Sequence, residues 1–180
     1  MKKIFFFMAA LGLVLGLMVH VISLLGIYIG DTVPYVWALH AGVFVVWLPA
    51  ILTLKKHPEL QQKGFKSNMT PKQFYGILFK GTPPAVVAIS AFFFAYMAIN
   101  FILFMQASMA GMPDIIDGKY VLHNHGEIIR ELTEAEYFKM EANTIRGFSG
   151  HWMAFYAVAM GILWPGKESE GVRAEAQGKA

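Results

Sequence analysis

The chain of 180 residues is 56% apolar and 15% charged, lacks cysteine and carries a net charge of +3. Globular proteins carry about 25% charged residues, so an ordinary soluble domain and a disordered chain are both excluded, as are thiol catalysis, disulfides and cysteine-ligated metals. The charges are also unevenly placed. No Lys, Arg, Asp or Glu lies between Lys3 and Asp31, Asp31 and Lys55, Lys80 and Asp114, or Arg146 and Lys167, and these blanks cover more than half of the chain.

A helix needs about 20 apolar residues to cross a hydrocarbon core of roughly 30 Å. The blanks therefore predict spans over residues 4–29, 33–54, 81–109 and 148–164, the last the shortest. No segment alternates like a barrel strand, so the expected fold is an all-α integral membrane protein built as a four-helix transmembrane bundle. Met1-Lys2-Lys3 resembles the start of a secretory signal, but the apolar run is too long for one, and span one is expected to be retained. Small residues mark the packing faces: Gly12, Gly16 and His20 on span one, Ala88, Ala91, Ala95 and Ala98 on span three, and Gly150, Ala154, Ala157 and Gly161 on span four.

Between spans two and three, residues 55–80 hold six lysines against Glu59, a net of +5. Thr70-Pro71 reads as an N-cap followed by proline at the first helical position, opening a short amphipathic helix, and Thr82-Pro83 repeats the signal for span three. Between spans three and four, residues 110–149 hold four cations against seven acids, a net of −3. The bias of lysine and arginine toward the cytoplasm puts both termini and the 55–80 loop inside and 110–147 outside, as a small lid. Within it, the runs 119–122 and 127–130 flank His123-Asn124-His125-Gly126, a hairpin pattern. Thr133 to Glu136 is a capping box opening a helix to about residue 145, with Tyr137 facing inward. Arg146-Gly147 is expected to break that helix and Ser149 to cap span four. Residues 1–166 thus form one membrane domain, and 167–180 a disordered cytoplasmic tail.

Few polar side chains fall inside the spans, and such groups are candidates for function. At 1.5 Å per residue, His20 lies roughly 14 Å below the outer boundary, His40 roughly 9 Å and His151 about 5 Å. A haem b between His20 and His40 is one reading, with His151 a further candidate for cofactor binding. Hydrogen bonding of the histidines between helices, with Asn100, Tyr96 or Ser23 as partners and no cofactor, is the simpler one. A second cluster points to metal: Met105, Met109 and Met112 at i, i+4, i+7, followed by His123 and His125. Thioethers favour Cu(I), and imidazoles suit copper or zinc. Gly147-Phe148-Ser149-Gly150-His151 has the wrong spacing for a nucleophile elbow, and His125-Gly126-Glu127 lacks the second histidine of a zincin.

The stretch 118–156 is the most distinctive text: Tyr120-Val121-Leu122, His125-Gly126, Glu136-Tyr137 and then Arg146-Gly147-Phe148-Ser149-Gly150-His151-Trp152. It resembles a group of small bacterial four-span membrane proteins sharing that order. The resemblance implies a bacterial inner-membrane protein and attaches no activity to any residue. It draws attention to Tyr137, Arg146, Ser149 and Trp152 as lid or structural residues. The expected role is a non-enzymatic structural or accessory protein, alone, as a homo-oligomer or within a larger membrane complex; the alternative is a haem- or copper-binding redox or assembly factor near the outer face. The expected surroundings are a lipid bilayer, and the net charge follows membrane topology, so no nucleic-acid partner is expected.

Overall fold

A computed structural model describes residues 2–33, 35–57, 60–61 and 69–166. The element order is α1 (Lys2–Leu24), α2 (Ala38–Lys55), α3 (Pro71–Leu78), α4 (Pro84–Ser108), β1 (Met112–Ile116), β2 (Lys119–Asn124), β3 (Glu127–Glu131) and α5 (Glu134–Ile162). Helices α1, α2 and α4 are long and apolar enough to cross a membrane. The remaining calls on the 55–80 loop, and the tail from 167, lie outside the described residues.

The helix ends depart from the expected spans for local reasons. Helix α1 stops at Leu24 because Gly26 takes φ 74°. The Gly26 amide then donates to the Ser23 carbonyl and the Ile27 amide to the Ile22 carbonyl, a Schellman closure. Helix α2 begins at Ala38, after turns at 30–32 and 35–37. Helix α3 opens with the expected device: Thr70 accepts from the Gln73 amide, Gln73 answers the Thr70 amide, and Pro71 fills the first position. Thr82 does not cap α4. Its hydroxyl reaches across to the Gly161 carbonyl at 2.9 Å, and Pro83 stands at the cap position.

The fold is mostly helical rather than all-α. Residues 112–131 form a three-stranded antiparallel sheet in the order β1-β2-β3. The expected hairpin is β2-β3, turned at His125-Gly126 with φ of 48° and 90°. A second hairpin precedes it: Ile116 pairs with Lys119 around Asp117-Gly118, both at positive φ, the arrangement an Asp-Gly turn favours. Tyr120 on β2 lies against Tyr137 of α5 with ring centroids 4.6 Å apart, and Phe138 stacks on Tyr28 at 5.6 Å. These rings tie the sheet to α5 and to the loop after α1.

The expected break at Arg146-Gly147 does not occur. Helix α5 runs unbroken from its capping box at Thr133 and Glu136 to Ile162. Its glycines are there for close contact: a Cβ at Gly147 would lie 2.6 Å from the Phe104 ring, and one at Gly150 would lie 2.1 Å from the Asn100 amide nitrogen. From 145 onward most of α5 is buried, including Trp152, Met153, Ala154, Tyr156, Ala157 and Ile162. It is the hub of the bundle, packed by α1, α2 and α4, and the small residues Gly150, Ala154, Ala157 and Gly161 are all enclosed. The Gly12-Gly16-His20 face of α1 also packs as expected, against Tyr156, Met153 and Ser149 of α5 in turn. The alanine stripe of α4 does not. Ala88, Ala91, Ala95 and Ala98 are exposed, and α4 meets the hub through Ser90, Asn100 and Phe104 instead.

Candidate functional site

The polar side chains of the bundle gather along the hub. The largest group sits where α1, α4 and α5 meet. The His20 Nδ1 lies 2.8 Å from the Ser149 hydroxyl oxygen, and the His20 Nε2 lies 2.6 Å from the Tyr96 hydroxyl. Ser149 donates its proton to the Arg146 carbonyl at 3.1 Å, so its oxygen accepts from His20 Nδ1–H. The imidazole is then neutral, with Nε2 accepting from Tyr96, an assignment made from the network. The sequence Tyr96 to His20 to Ser149 to the Arg146 carbonyl is a directed chain of hydrogen bonds. It ends on an amide oxygen that does not ionise, so it fixes orientation and offers a proton no onward acceptor. His20 and Ser149 are almost fully enclosed, with 2% and 0% of their surface exposed.

One turn away, the Asn100 side-chain amide donates to the Arg146 and Gly147 carbonyls at 3.1 and 3.2 Å. Its Oδ1 is buried and has no partner among the described residues. The Arg146 Nε–H donates to the Asn143 side-chain oxygen at 3.0 Å. Toward α2, Trp152 Nε1–H donates to His40 Nδ1 at 3.0 Å, and the Tyr156 hydroxyl donates to the Leu39 carbonyl at 2.7 Å. Trp152 is thus a buried contact between helices. Ser90 donates to the Ala157 carbonyl at 2.8 Å, completing a seam that runs almost the length of the hub.

Among the residues expected to matter, His20 and His40 meet different residues of α5, and a haem on His20 would have to displace Ser149 or Tyr96. His151 turns its Nδ1 back onto the Gly147 carbonyl at 2.9 Å and rests edge-on against Phe101. The methionine run is divided. Helix α4 ends at Ser108 and Gly111 adopts φ 133°, so Met105 stays on the helix, Met109 caps it and Met112 enters β1. Met112 then stands directly opposite His123 across the sheet, and His123 Nε2 is 3.8 Å from Asp114 Oδ2. His125 lies in the following turn. No group of three or more His, Asp or Glu side chains poised to hold a metal occurs among the described residues.

Outside the bundle, Glu136 is held well below the usual carboxylate range, at about 2, by its bond with Arg130 and by the Thr133 amide and hydroxyl. Glu141 is pushed up, by burial first and then by the nearby Asp114 and Asp31 carboxylates. The bond between His20 and Tyr96 was among the pairings expected from the sequence, whereas Ser90, Tyr156 and Leu39 had no role there. Tyr96 sits one turn from Asn100 on α4, and that i, i+4 pairing of polar groups in an apolar helix was the available signal.

No protein-family model matches this chain, nor does any curated protein or solved structure.

Proposed function

We propose that the chain is a four-span protein of a bacterial inner membrane, with both termini cytoplasmic and the sheet outside. It serves as a non-enzymatic structural or accessory subunit that holds the outer sheet rigidly at the membrane surface, by itself, as a homo-oligomer or in a larger complex. One observation carries the reading: α5 is a single uninterrupted helix that starts beneath the sheet and ends enclosed by three apolar helices. Whatever docks on the sheet is thereby coupled to the hub. The polar seam supports the same reading, since its hydrogen bonds run between helices or end on backbone carbonyls and leave no activated nucleophile. The resemblance over 118–156 agrees with it.

Two measurements test the proposal. A reporter fused after Lys119 is expected to register the extracytoplasmic side, and a cytoplasmic signal overturns the orientation. Protein purified in mild detergent is expected to be colourless. A Soret band that disappears in His20→Ala or His40→Ala overturns the non-cofactor role. A second reading, a copper-binding accessory factor, draws on the cross-strand pair of Met112 and His123 beside Asp114. Copper retained through dialysis and lost in both Met112→Leu and His123→Ala would favour it.

A further inference from the structure

The end of the molecule opposite the sheet collects cations from three separate elements. The start of α1 carries Lys3, the end of α2 carries Lys55 and Lys56, and α3 carries Lys72, all four exposed. No Asp or Glu is present among the described residues of this end. Helix α3 is amphipathic: Ile77 and Leu78 are buried, and the next residue, Phe79, packs near Gly161 of the hub, while Tyr75 and Lys72 face outward. Trp164 stands at the same end, edge-on to Phe6 with centroids 5.3 Å apart. Aromatic rings and lysines at one level are what a headgroup layer selects, and a group of exposed lysines complements a negative surface.

We propose that this end binds the headgroups of anionic phospholipids, with α3 lying in the headgroup layer and Lys3, Lys55, Lys56 and Lys72 contacting phosphates around the foot of the bundle. The occupant is the lipid and not a free anion. The lysines surround the bundle rather than converge on a pocket, and Tyr75 offers an apolar face to acyl chains. The proposal rests on the helices being membrane spans. It goes beyond the structural role, because it makes the protein sensitive to the charge of its leaflet.

The test uses the full chain reconstituted in phosphatidylcholine vesicles containing a small fraction of spin-labelled phosphatidylglycerol or phosphatidylcholine, with boundary lipid measured by electron paramagnetic resonance. The wild type is expected to prefer the anionic probe several-fold. Each lysine near the surface contributes roughly fivefold at most. The preference should fall toward unity in Lys55→Gln/Lys56→Gln/Lys72→Gln and in 1 M salt. Lys139→Gln, on the outer part of α5, should leave it unchanged. Circular dichroism checks that the triple variant folds, and the single variants Lys55→Gln and Lys72→Gln carry the test if it does not. A ratio of one in the wild type, or a ratio untouched by the lysine changes, overturns the proposal. So does abolition of the preference by inorganic phosphate at constant ionic strength, which would mean a site for free anions. A protein extracted from the vesicles by alkaline carbonate fails the membrane reading itself, whereas an integrated protein without lipid preference fails only this inference.

Discussion

Tyr156 is wedged between two glycines on two helices, and this makes a sharp test of the packing. A Cβ added at Gly12 would lie 2.4 to 2.6 Å from three atoms of the Tyr156 ring, one of them Cζ. A Cβ at Gly42 would lie 2.4 Å from the Tyr156 hydroxyl oxygen but 3.6 Å from Cζ. A Cβ at Gly16, one turn from Gly12 on the same face of α1, would lie 3.5 Å from Met153 Cγ, an ordinary contact. The same Gly→Ala change should therefore have three outcomes. Gly12→Ala must push the ring or the helix by about 1 Å. Overpacking of that kind costs about 1–3 kcal/mol, and losing the Tyr156–Leu39 bond adds about 1 kcal/mol. Gly16→Ala should lie between neutral and about 1 kcal/mol stabilising, because alanine is the better helix former. Gly42→Ala should cost about 1–2 kcal/mol, and that loss should disappear when Tyr156→Phe removes the hydroxyl. Gly12→Ala should keep its cost in the Tyr156→Phe background, because it strikes ring carbons. Unfolding in mixed micelles of dodecyl maltoside and sodium dodecyl sulfate, followed by circular dichroism, measures the six variants against the wild type. Equal losses in Gly12→Ala and Gly16→Ala, or no difference in coupling of the two clashing glycines to Tyr156→Phe, would refute the wedge.

The other predictions concern single bonds. Tyr96→Phe and Ser149→Ala each leave one nitrogen of His20 without its partner, and each should cost about 1–2 kcal/mol in the same unfolding assay. The double variant should cost less than the sum, and strict additivity would mean that the two hydroxyls do not share the ring. Gly150→Ala should displace the Asn100 amide from two carbonyls and cost about 2 kcal/mol or more; an unchanged midpoint would contradict that contact. Glu136 has its pKa lowered in the folded protein, so its contribution to the N-terminal end of α5 is complete above the ordinary value of 4.5 and is lost as pH falls toward about 2. The protection factors of the first turn of α5, with exchange taken relative to the intrinsic rate at each pH, should fall over that range in the wild type and much less in Glu136→Gln, and parallel profiles would exclude the carboxylate as the cause.

How much of this was legible in the sequence depends on whether the signal was local. Although the answering Gln73 at Thr70 was not read, the N-cap and proline at Thr70-Pro71 and the capping box at Thr133 were readable because every participant lies within four residues. So was the Gly12-Gly16-His20 face, where the spacing fixes a single side of a helix. Strand β1 was readable too, since Asp117-Gly118 is a strong turn signal, but the spacing of Met105, Met109 and Met112 invited extension of the helix through Gly111. Errors of a different kind came where one residue type serves two ends. Glycine at 26 stops a helix, while glycine at 147 lets a neighbouring ring approach, and only the partner, Phe104, distinguishes the cases. Thr82 looked like a cap because its true acceptor, the Gly161 carbonyl, is 79 residues away. The alanines of α4 looked like a packing face because small residues permit close contact without requiring it.

The hub helix accounts for the largest difference between composition and position. A helix facing lipid is selected for bulk apolar surface, and α1, α2 and α4 expose many large residues of that kind, among them Phe7, Phe44 and Phe92. A helix enclosed by protein is selected for fit, and the requirement changes from oiliness to small size and satisfied polar groups. Residues 145–162 of α5 accordingly hold three glycines, Ser149, His151, Trp152 and Tyr156, each lowering its hydropathy, while it is the most buried helix of the molecule. The lower hydropathy of this segment, compared with α1, α2 and α4, is thus a consequence of central placement. It follows that the hub needs its neighbours: alone in lipid it would present Ser149, Trp152 and Tyr156 without partners. On the four-span reading, α1, α2 and α4 can insert independently and α5 docks last, and its arrival sets the position of the outer sheet. Truncation after residue 132 tests this order. The three apolar helices should still integrate into the membrane, but Trp47, whose indole donates to the Phe155 carbonyl, should become freely quenched by lipid-borne bromine. A truncated chain that fails to integrate would show that the hub is needed before, and not after, the other three.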